Sequence, residues 1–318
     1  MAVQDTSWRD GDDADDRVAG VAERQCGAIS YRQLIAAGLS EAQIRRRVRN
    51  RRLIRTPARA MYRMAGAPTG WKQDLWVAIL AAPPRTVVSH LSAAALFGLV
   101  ERPATAHVTV PRTASGRFGG ATVHHGSVLA SDRCEVDGLP ATSVARVMVD
   151  CAAIVGQDRL DGLTDSAIGR GLTTMEAIRR AWDRAGAVEG GTRLAEALAP
   201  YAGGAPPGSV KAAHALRLFR KWGLPAPQCE YAVRDGNGKV VGRIDFVWPP
   251  WRFGLEYDGD EFHAPRRWDR DDRREEAIEA LGLRIERADR FDLRPSSTRL
   301  RDLLTKVLGE PPVPDTLL

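Results

Sequence analysis

Apolar positions near the start of the chain recur at helical spacing, with Val18, Val21, Ala22 and Cys26 on one face. Ser30 opens a second helical stretch carrying Leu34, Ile35 and Ala37, which Gly38 closes. Ser40 opens a third, Glu41 to Arg49, with Ile44 and Val48 facing inward. Leu53-Ile54-Arg55 and Ala60-Met61-Tyr62-Arg63 then read as two short strands around Thr56-Pro57. Residues 18–66 are therefore expected to form three helices and a two-stranded hairpin.

The pattern loosens over 69–185. Asp74 to Ala82, Ser92 to Leu99, Val144 to Val155 and Thr173 to Ala185 are helical in period, while Ala106 to Pro111 and Thr122 to His125 alternate as strands around a Gly116–Gly120 loop. The Gly/Ala/Pro-rich run 200–208 reads as a linker. A third block, 209–310, starts with a helix capped by Ser209 and stopped by Gly223-Leu224-Pro225. A strand from Gln228 to Val233 and the hairpin turn Asp235-Gly236-Asn237-Gly238 come next. The remaining expected elements are strands 240–248 and 251–259, a helix from about Asp269 to Leu281, a strand at Leu283–Arg287 and a helix from Ser297 to Leu308. The order is α-β-β-β-α-β-α.

Two of those strands carry acids. Asp245 lies in Arg243-Ile244-Asp245-Phe246-Val247, and Glu256 and Asp258 lie in Leu255-Glu256-Tyr257-Asp258-Gly259. Period-2 geometry puts Glu256 and Asp258 on one face and Leu255 and Tyr257 on the other. The Pro249-Pro250 turn makes the strands an antiparallel hairpin, which brings Asp245 toward its partner's acids. Gathered carboxylates repel unless a proton or cation lies between them, and hard oxygen ligands suit Mg²⁺ or Mn²⁺. A site of that kind can serve phosphodiester hydrolysis.

The composition is 44% hydrophobic and 27% charged, ordinary for a soluble globular protein of 318 residues with two or three domains. A net charge of +6 is consistent with a polyanionic partner. Cys26, Cys134, Cys151 and Cys229 are scattered, which argues against a disulfide framework or structural zinc and suits a reducing cytoplasm. The apolar run Leu75–Ala82 is too short for a bilayer, so no membrane is expected. Residues 1–17 are acidic and polar, and are expected to be a disordered lead-in rather than a secretory signal.

Arginines crowd the third helix and the hairpin after it: Arg45, Arg46, Arg47, Arg49, Arg51, Arg52 and Arg55, with Arg59 and Arg63 beyond and no acid in between. Helix, helix, helix and wing is the pattern of a winged helix-turn-helix, and this density on the recognition helix points to DNA phosphates and guanine edges. His90 between Ser89 and Ser92 reads as a buried capping histidine, and His124-His125 is too little for a metal site.

Residues 209–310 resemble the PD-(D/E)xK nuclease superfamily, more narrowly the endonuclease-like domains related to very-short-patch-repair endonuclease. The resemblance is carried by Asp245, Leu255-Glu256-Tyr257-Asp258-Gly259, His263, Asp271 with Arg274, and Gly282 before the last strand. It implies a restriction-endonuclease-like αβββαβα core in which Asp245 and Glu256 hold Mg²⁺ (or Mn²⁺). It also places Asp258 where many members carry a Lys, gives His263 the proton-moving or phosphate-holding role, and sets Asp271 and Arg274 to orient His263 or contact phosphate. The sequence departs at Ser209-Val210-Lys211-Ala212, where Ala212 stands at the position of a helix Glu in related domains. His214 lies two positions further round the helix and is not a replacement.

Residues 25–180 resemble the winged-helix antitoxins of type IV toxin–antitoxin systems, of the AbiEi type. The carrying residues are Ile29-Ser30-Tyr31-Arg32-Gln33-Leu34, Arg45-Arg46-Arg47, the stretch Val87 to Ala94, and Pro140 to Arg146. This resemblance implies operator binding and a cognate toxin partner. The chain is thus expected to be an α/β multidomain cytoplasmic protein with a winged helix-turn-helix (18–66), a mixed α+β antitoxin-like middle domain (69–185) and a nuclease-like core. Two functions follow: a Mg²⁺-dependent DNA endonuclease targeted by the winged helix, or a non-catalytic DNA-binding regulator or antitoxin with a degenerate nuclease fold.

Overall fold

A computed structural model describes residues 13–201, 210–257, 276, 278–289, 291–294 and 297–312. The protein is a mixed α/β chain divided into two compact units. One runs to Leu163 and includes Gly171–Leu194; the other holds Thr164–Arg170 and the chain from Ala195 onward.

In the first unit Asp13 caps α1 (Ala14–Arg24), its carboxylate accepting from the Asp15 and Asp16 amides at 2.7 and 2.9 Å. Residues 14–17 are therefore helical, against the expected lead-in. Next come β1 (Ala28–Ser30), α2 (Tyr31–Ala36), α3 (Glu41–Arg49), β2 (Leu53–Arg55) and β3 (Met61–Met64). Ser30 and Ser40 cap as expected, each in a reciprocal capping box with the glutamine three residues on, Gln33 and Gln43. β1 escaped the sequence reading because three residues show no period; it pairs antiparallel with β3, giving a sheet of order β1-β3-β2. Val18, Val21, Ile29, Leu34, Leu39, Ile44, Leu53 and Tyr62 form the buried cluster beneath it.

The same unit continues through α4 (Trp71–Ala81), β4 (Val87–Val88), α5 (His90–Leu96), β5 (His107–Val110), β6 (Thr122–His125), β7 (Arg133–Val136), β8 (Leu139–Thr142), α6 (Val144–Ala152) and α8 (Met175–Ala185), while the division between the units falls inside α7 (Gln157–Gly169) after Leu163 and inside α9 (Gly191–Leu198) after Leu194. The strands form a five-stranded sheet of order β6-β5-β4-β8-β7. Asp137-Gly138, at φ +50° and +78°, turns β7 into β8 as a tight hairpin. Gln73 is buried and donates to the Cys26 carbonyl at 2.7 Å, which ties 18–66 to the stretch after it within one unit.

Gly190 turns the chain at φ +79°, where an added Cβ would lie 1.9 Å from the Ala152 carbonyl oxygen. Arg193 donates to that oxygen through Nε and Nη2. Gly190→Ala is expected to lower stability by about 2 kcal/mol or more, read as a shift in urea midpoint at constant m.

The second unit contains α10 (Val210–Lys221), β9 (Gln228–Arg234), β10 (Val240–Trp248), β11 (Phe253–Tyr257), β12 (Arg284–Ala288) and α11 (Arg299–Gly309). Glu276, Ile278 and Glu279 are also helical. The sheet order is β12-β11-β10-β9, with β9, β10 and β11 antiparallel and β11 parallel to β12. The turn at Asp235 and the hairpin across Pro249-Pro250 form where the sequence placed them, the latter through a 3₁₀ turn ending at Arg252. Phe246, Trp248, Phe253 and Leu255 pack against Leu218 and Phe219 of α10 and Leu300 and Leu304 of α11. Val247, Ile244 and Ile285 pack against Ile278 in a separate cluster. Of the expected linker 200–208, residues 200 and 201 instead end a 3₁₀ turn (Ala199–Tyr201) with Tyr201 buried; the rest of it and the Ser209 cap lie outside the described residues. No helix among the described residues is long and apolar enough to cross a membrane.

Candidate functional site

Arg45, Arg46, Arg47 and Arg49 extend from α3, and Arg51, Arg52 and Arg55 from the turn and strand after it. All but Arg47 are exposed. Acids from outside the cluster neutralise two of them: Glu41 pairs with Arg45 one helical turn away at 2.6 Å, and Asp15 of α1 pairs with Arg47. Arg46, Arg49, Arg51, Arg52 and Arg55 have no carboxylate partner among the described residues. Arg46, Arg47, Asn50 and Arg52 line one small recess of about 190 Å³ at the end of α3. Asn50 caps the helix there, and the left-handed Arg51 (φ +56°) turns the chain so that Arg52 returns beside the last turn.

The acidic strands sit together in the second unit. Phe246 faces Leu255 across β10 and β11, so Asp245 and Glu256 are the next positions along that pair. Both are half-buried, and Asp245 Oδ2 accepts from the Tyr257 amide at 2.8 Å. The register with β9 is continuous here, its one shift lying further back between Val240 and Gly242. Ile244 faces Tyr231 and Phe246 faces Cys229, leaving Asp245 with Glu230, whose φ is +50°. Burial pushes the Cys229 thiol up to about 11, with the carboxylates of Glu230 and Asp245 adding to the shift. Glu230 is a neighbour of Asp245 that sequence reading missed, because the pairing register of β9 with β10 brings it there and no local signal fixes that register.

Among the described residues no three His, Cys, Asp or Glu side chains gather as a metal-ion set. Asp245 and Glu256 are hard oxygen donors and fit two positions of a divalent-cation site. Asp258, His263, Asp271 and Arg274 lie outside the described residues. Ala212 is half-buried against the cluster that contains Phe246 and Leu255, and His214 shares a hydrogen bond with the Leu293 carbonyl at 2.8 Å.

Three histidines converge in the first unit. The His90 and His124 rings stack at 3.5 Å, and His107 Nδ1 lies 3.0 Å from His124 Nε2. His90 begins α5 at φ +51°, is buried, and bonds Ser89 Oγ through Nδ1. It is the expected buried histidine, although its bond is to the preceding side chain. His107 and the stack itself had no linear signal. Burial, then the neighbouring His124, His107 and Arg146, lowers His90 to about 2; burial, then His107 and His125, lowers His124 to about 4.

Folded His90 and His124 thus hold protons more weakly than unfolded histidine. Their contribution to stability is complete above about pH 6.5 and declines as pH falls from there toward about 4. Buried Asp150, raised to about 6, acts in the opposite sense over its own range. His124→Asn is expected to flatten the fall of Tm between pH 6.5 and 4 relative to the unchanged protein, and parallel curves would refute this coupling.

Two proteins of Mycobacterium tuberculosis match the chain: the uncharacterized protein Rv2248 of strain H37Rv and the uncharacterized protein MT2308 of strain CDC 1551. Each is 30% identical over 199 residues, spanning 61% of this chain and 70% of the relative. This chain belongs to their family. No protein-family model matches it. Among solved structures, the crystal structure of the RV2827C protein of M. tuberculosis aligns with a TM-score of 0.41 and 16% identity, over 63% of this chain and 80% of that one.

Proposed function

We propose that the chain is a DNA-binding protein that grips duplex DNA through α3 and the β2–β3 hairpin. The observation that carries this reading is the set of five exposed arginines on α3 and the segment after it that have no carboxylate partner among the described residues, next to a recess lined by Arg46, Arg47, Asn50 and Arg52. Guanidiniums held so close together repel one another, and a phosphate backbone relieves that repulsion while releasing counterions. The order α1-β1-α2-α3-β2-β3, with α2 and α3 each opened by a capping box, supports a winged helix-turn-helix with α3 as the recognition helix.

The test is duplex binding by fluorescence anisotropy across a KCl series. Each phosphate contact contributes about 0.9 to the slope of log K against log salt, so Arg46→Ala with Arg52→Ala should lower the slope by about 1.8. Raising salt from 50 to 200 mM should then cost the variant about twelvefold less affinity than the unchanged protein. An unchanged slope would count against this interface.

A second reading, a metal-dependent endonuclease, is favoured by the bond from the Tyr257 amide to Asp245 beside Glu256 in a sheet whose last strand runs parallel to β11. Asp245 and Glu256 would hold Mg²⁺ or Mn²⁺, which when bound supplies Lewis-acid polarisation of a phosphate. Ala212, where related domains carry a glutamate, favours DNA binding without cleavage. The resemblance to antitoxins adds a cognate toxin as a proposed partner of the regulator form.

A further inference from the structure

A second group of arginines lies apart from α3. Arg32 of α2, Arg85 after α4, Arg112 after β5 and Arg133 of β7 line a single open cleft of about 910 Å³ within the first unit. Among the described residues, no Asp or Glu lines it. The wall between the arginines is apolar, with Ile79, Leu80, Pro111, Val128, Leu129 and Pro140, and Leu129 is 48% exposed.

One of these cations, Arg133, is held in place by the backbone. Arg133 donates through Nε to the Val128 carbonyl at 3.0 Å and through Nη2 to the Arg85 carbonyl at 2.9 Å, which fixes its guanidinium plane. Burial and the nearby positive charge of Arg85 both lower the pKa of Arg133. None of the four arginines has a carboxylate partner among the described residues. Positive charges gathered along one cleft repel one another, and a bound anion lowers that energy.

We propose that this cleft binds a small organic anion: a molecule with an apolar or aromatic body and one or more phosphate, sulfonate or carboxylate groups. The volume falls in the range of small-molecule pockets, about 300–1,000 Å³, which combine an apolar lining with a few polar anchors. A nucleic-acid backbone would use the arginines but gain nothing from the proline, valine and leucine wall. A neutral apolar ligand would leave the arginines uncompensated. The lining hydroxyl of Ser30 is already committed to Gln33 in the α2 capping box, so charge selection falls to the arginines. The site stands whether or not α3 binds DNA.

The test uses the full chain and anilinonaphthalene sulfonate, an aromatic sulfonate whose fluorescence rises in apolar surroundings, with uncharged Nile red and inorganic phosphate as controls. One saturable sulfonate site is expected, weakened about tenfold or more by Arg85→Ala and by Arg112→Ala, and also by Leu129→Ser. Nile red binding should not respond to the arginine variants, and phosphate alone should compete poorly. Arg85 and Arg112 are exposed, and replacing the Arg85 side chain keeps the carbonyl that Arg133 uses. If one variant melts early, the other still carries the test. Sulfonate binding indifferent to both arginines would overturn the proposal, as would phosphate binding that equals the sulfonate and ignores Leu129→Ser. Tighter capture of a synthetic poly-glutamate peptide than of any small anion would overturn it in favour of a protein segment.

Discussion

On the proposed endonuclease reading, Asp245→Asn in millimolar Mg²⁺ or Mn²⁺ is expected to reduce nicking of plasmid DNA by about a thousandfold or more, equal to roughly 4 kcal/mol of transition-state stabilisation. The substitution is nearly isosteric, and its amide oxygen can still accept from the Tyr257 amide, so the hairpin at β10–β11 should persist. Only the charge is lost. A carboxylate ligand to a hard cation works through that charge, so the loss should appear in cleavage and not in Tm. Equal nicking by the unchanged protein and the variant would end the endonuclease reading and leave the DNA-binding reading intact. Nicking restored only in Ala212→Glu would identify the helix position as the missing ligand.

Asp132→Ala is expected to destabilise the first unit by about 3 kcal/mol or more, measured by urea denaturation. Asp132 is fully buried and accepts from Arg184 Nε at 3.1 Å and Nη2 at 2.5 Å. Arg146, 8% exposed, lies 3.9 Å away and bonds Asp150 at 2.7 Å. Removing Asp132 strips one of two carboxylates from a buried guanidinium and abandons Arg184. Removing Arg184 instead leaves a buried carboxylate with Arg146 as its distant cation, so Arg184→Met should cost a comparable amount. The double variant should cost less than the sum, because the second change removes a charge that the first stranded. Additive losses would show that the pair is not coupled.

Much of the local structure was legible in the chain because local chemistry decides it. Ser30 and Ser40, each followed three residues later by glutamine, announced two helices, and Asp235 to Gly238 announced a hairpin. The Pro249-Pro250 break correctly predicted an antiparallel pair that brings Asp245 beside Glu256. The strands β1, β4, β7 and β8 escaped, as did the helices α7 and α9. Their strand character comes from partners distant in the chain, as Val88 pairs with Ala141.

The sequence by itself determined the family of elements, the arginine density of α3 and the acids of β10 and β11, since each depends on neighbours within a few residues. Tertiary structure decided which charges remain available. It brought Asp15 to Arg47, placed Glu230 opposite Asp245 through the β9–β10 register, stacked His90 on His124, and drew Arg32, Arg85, Arg112 and Arg133 around one cleft. The physical reason is that Coulombic and desolvation energies depend on distance and burial in space, and spacing along a chain carries neither.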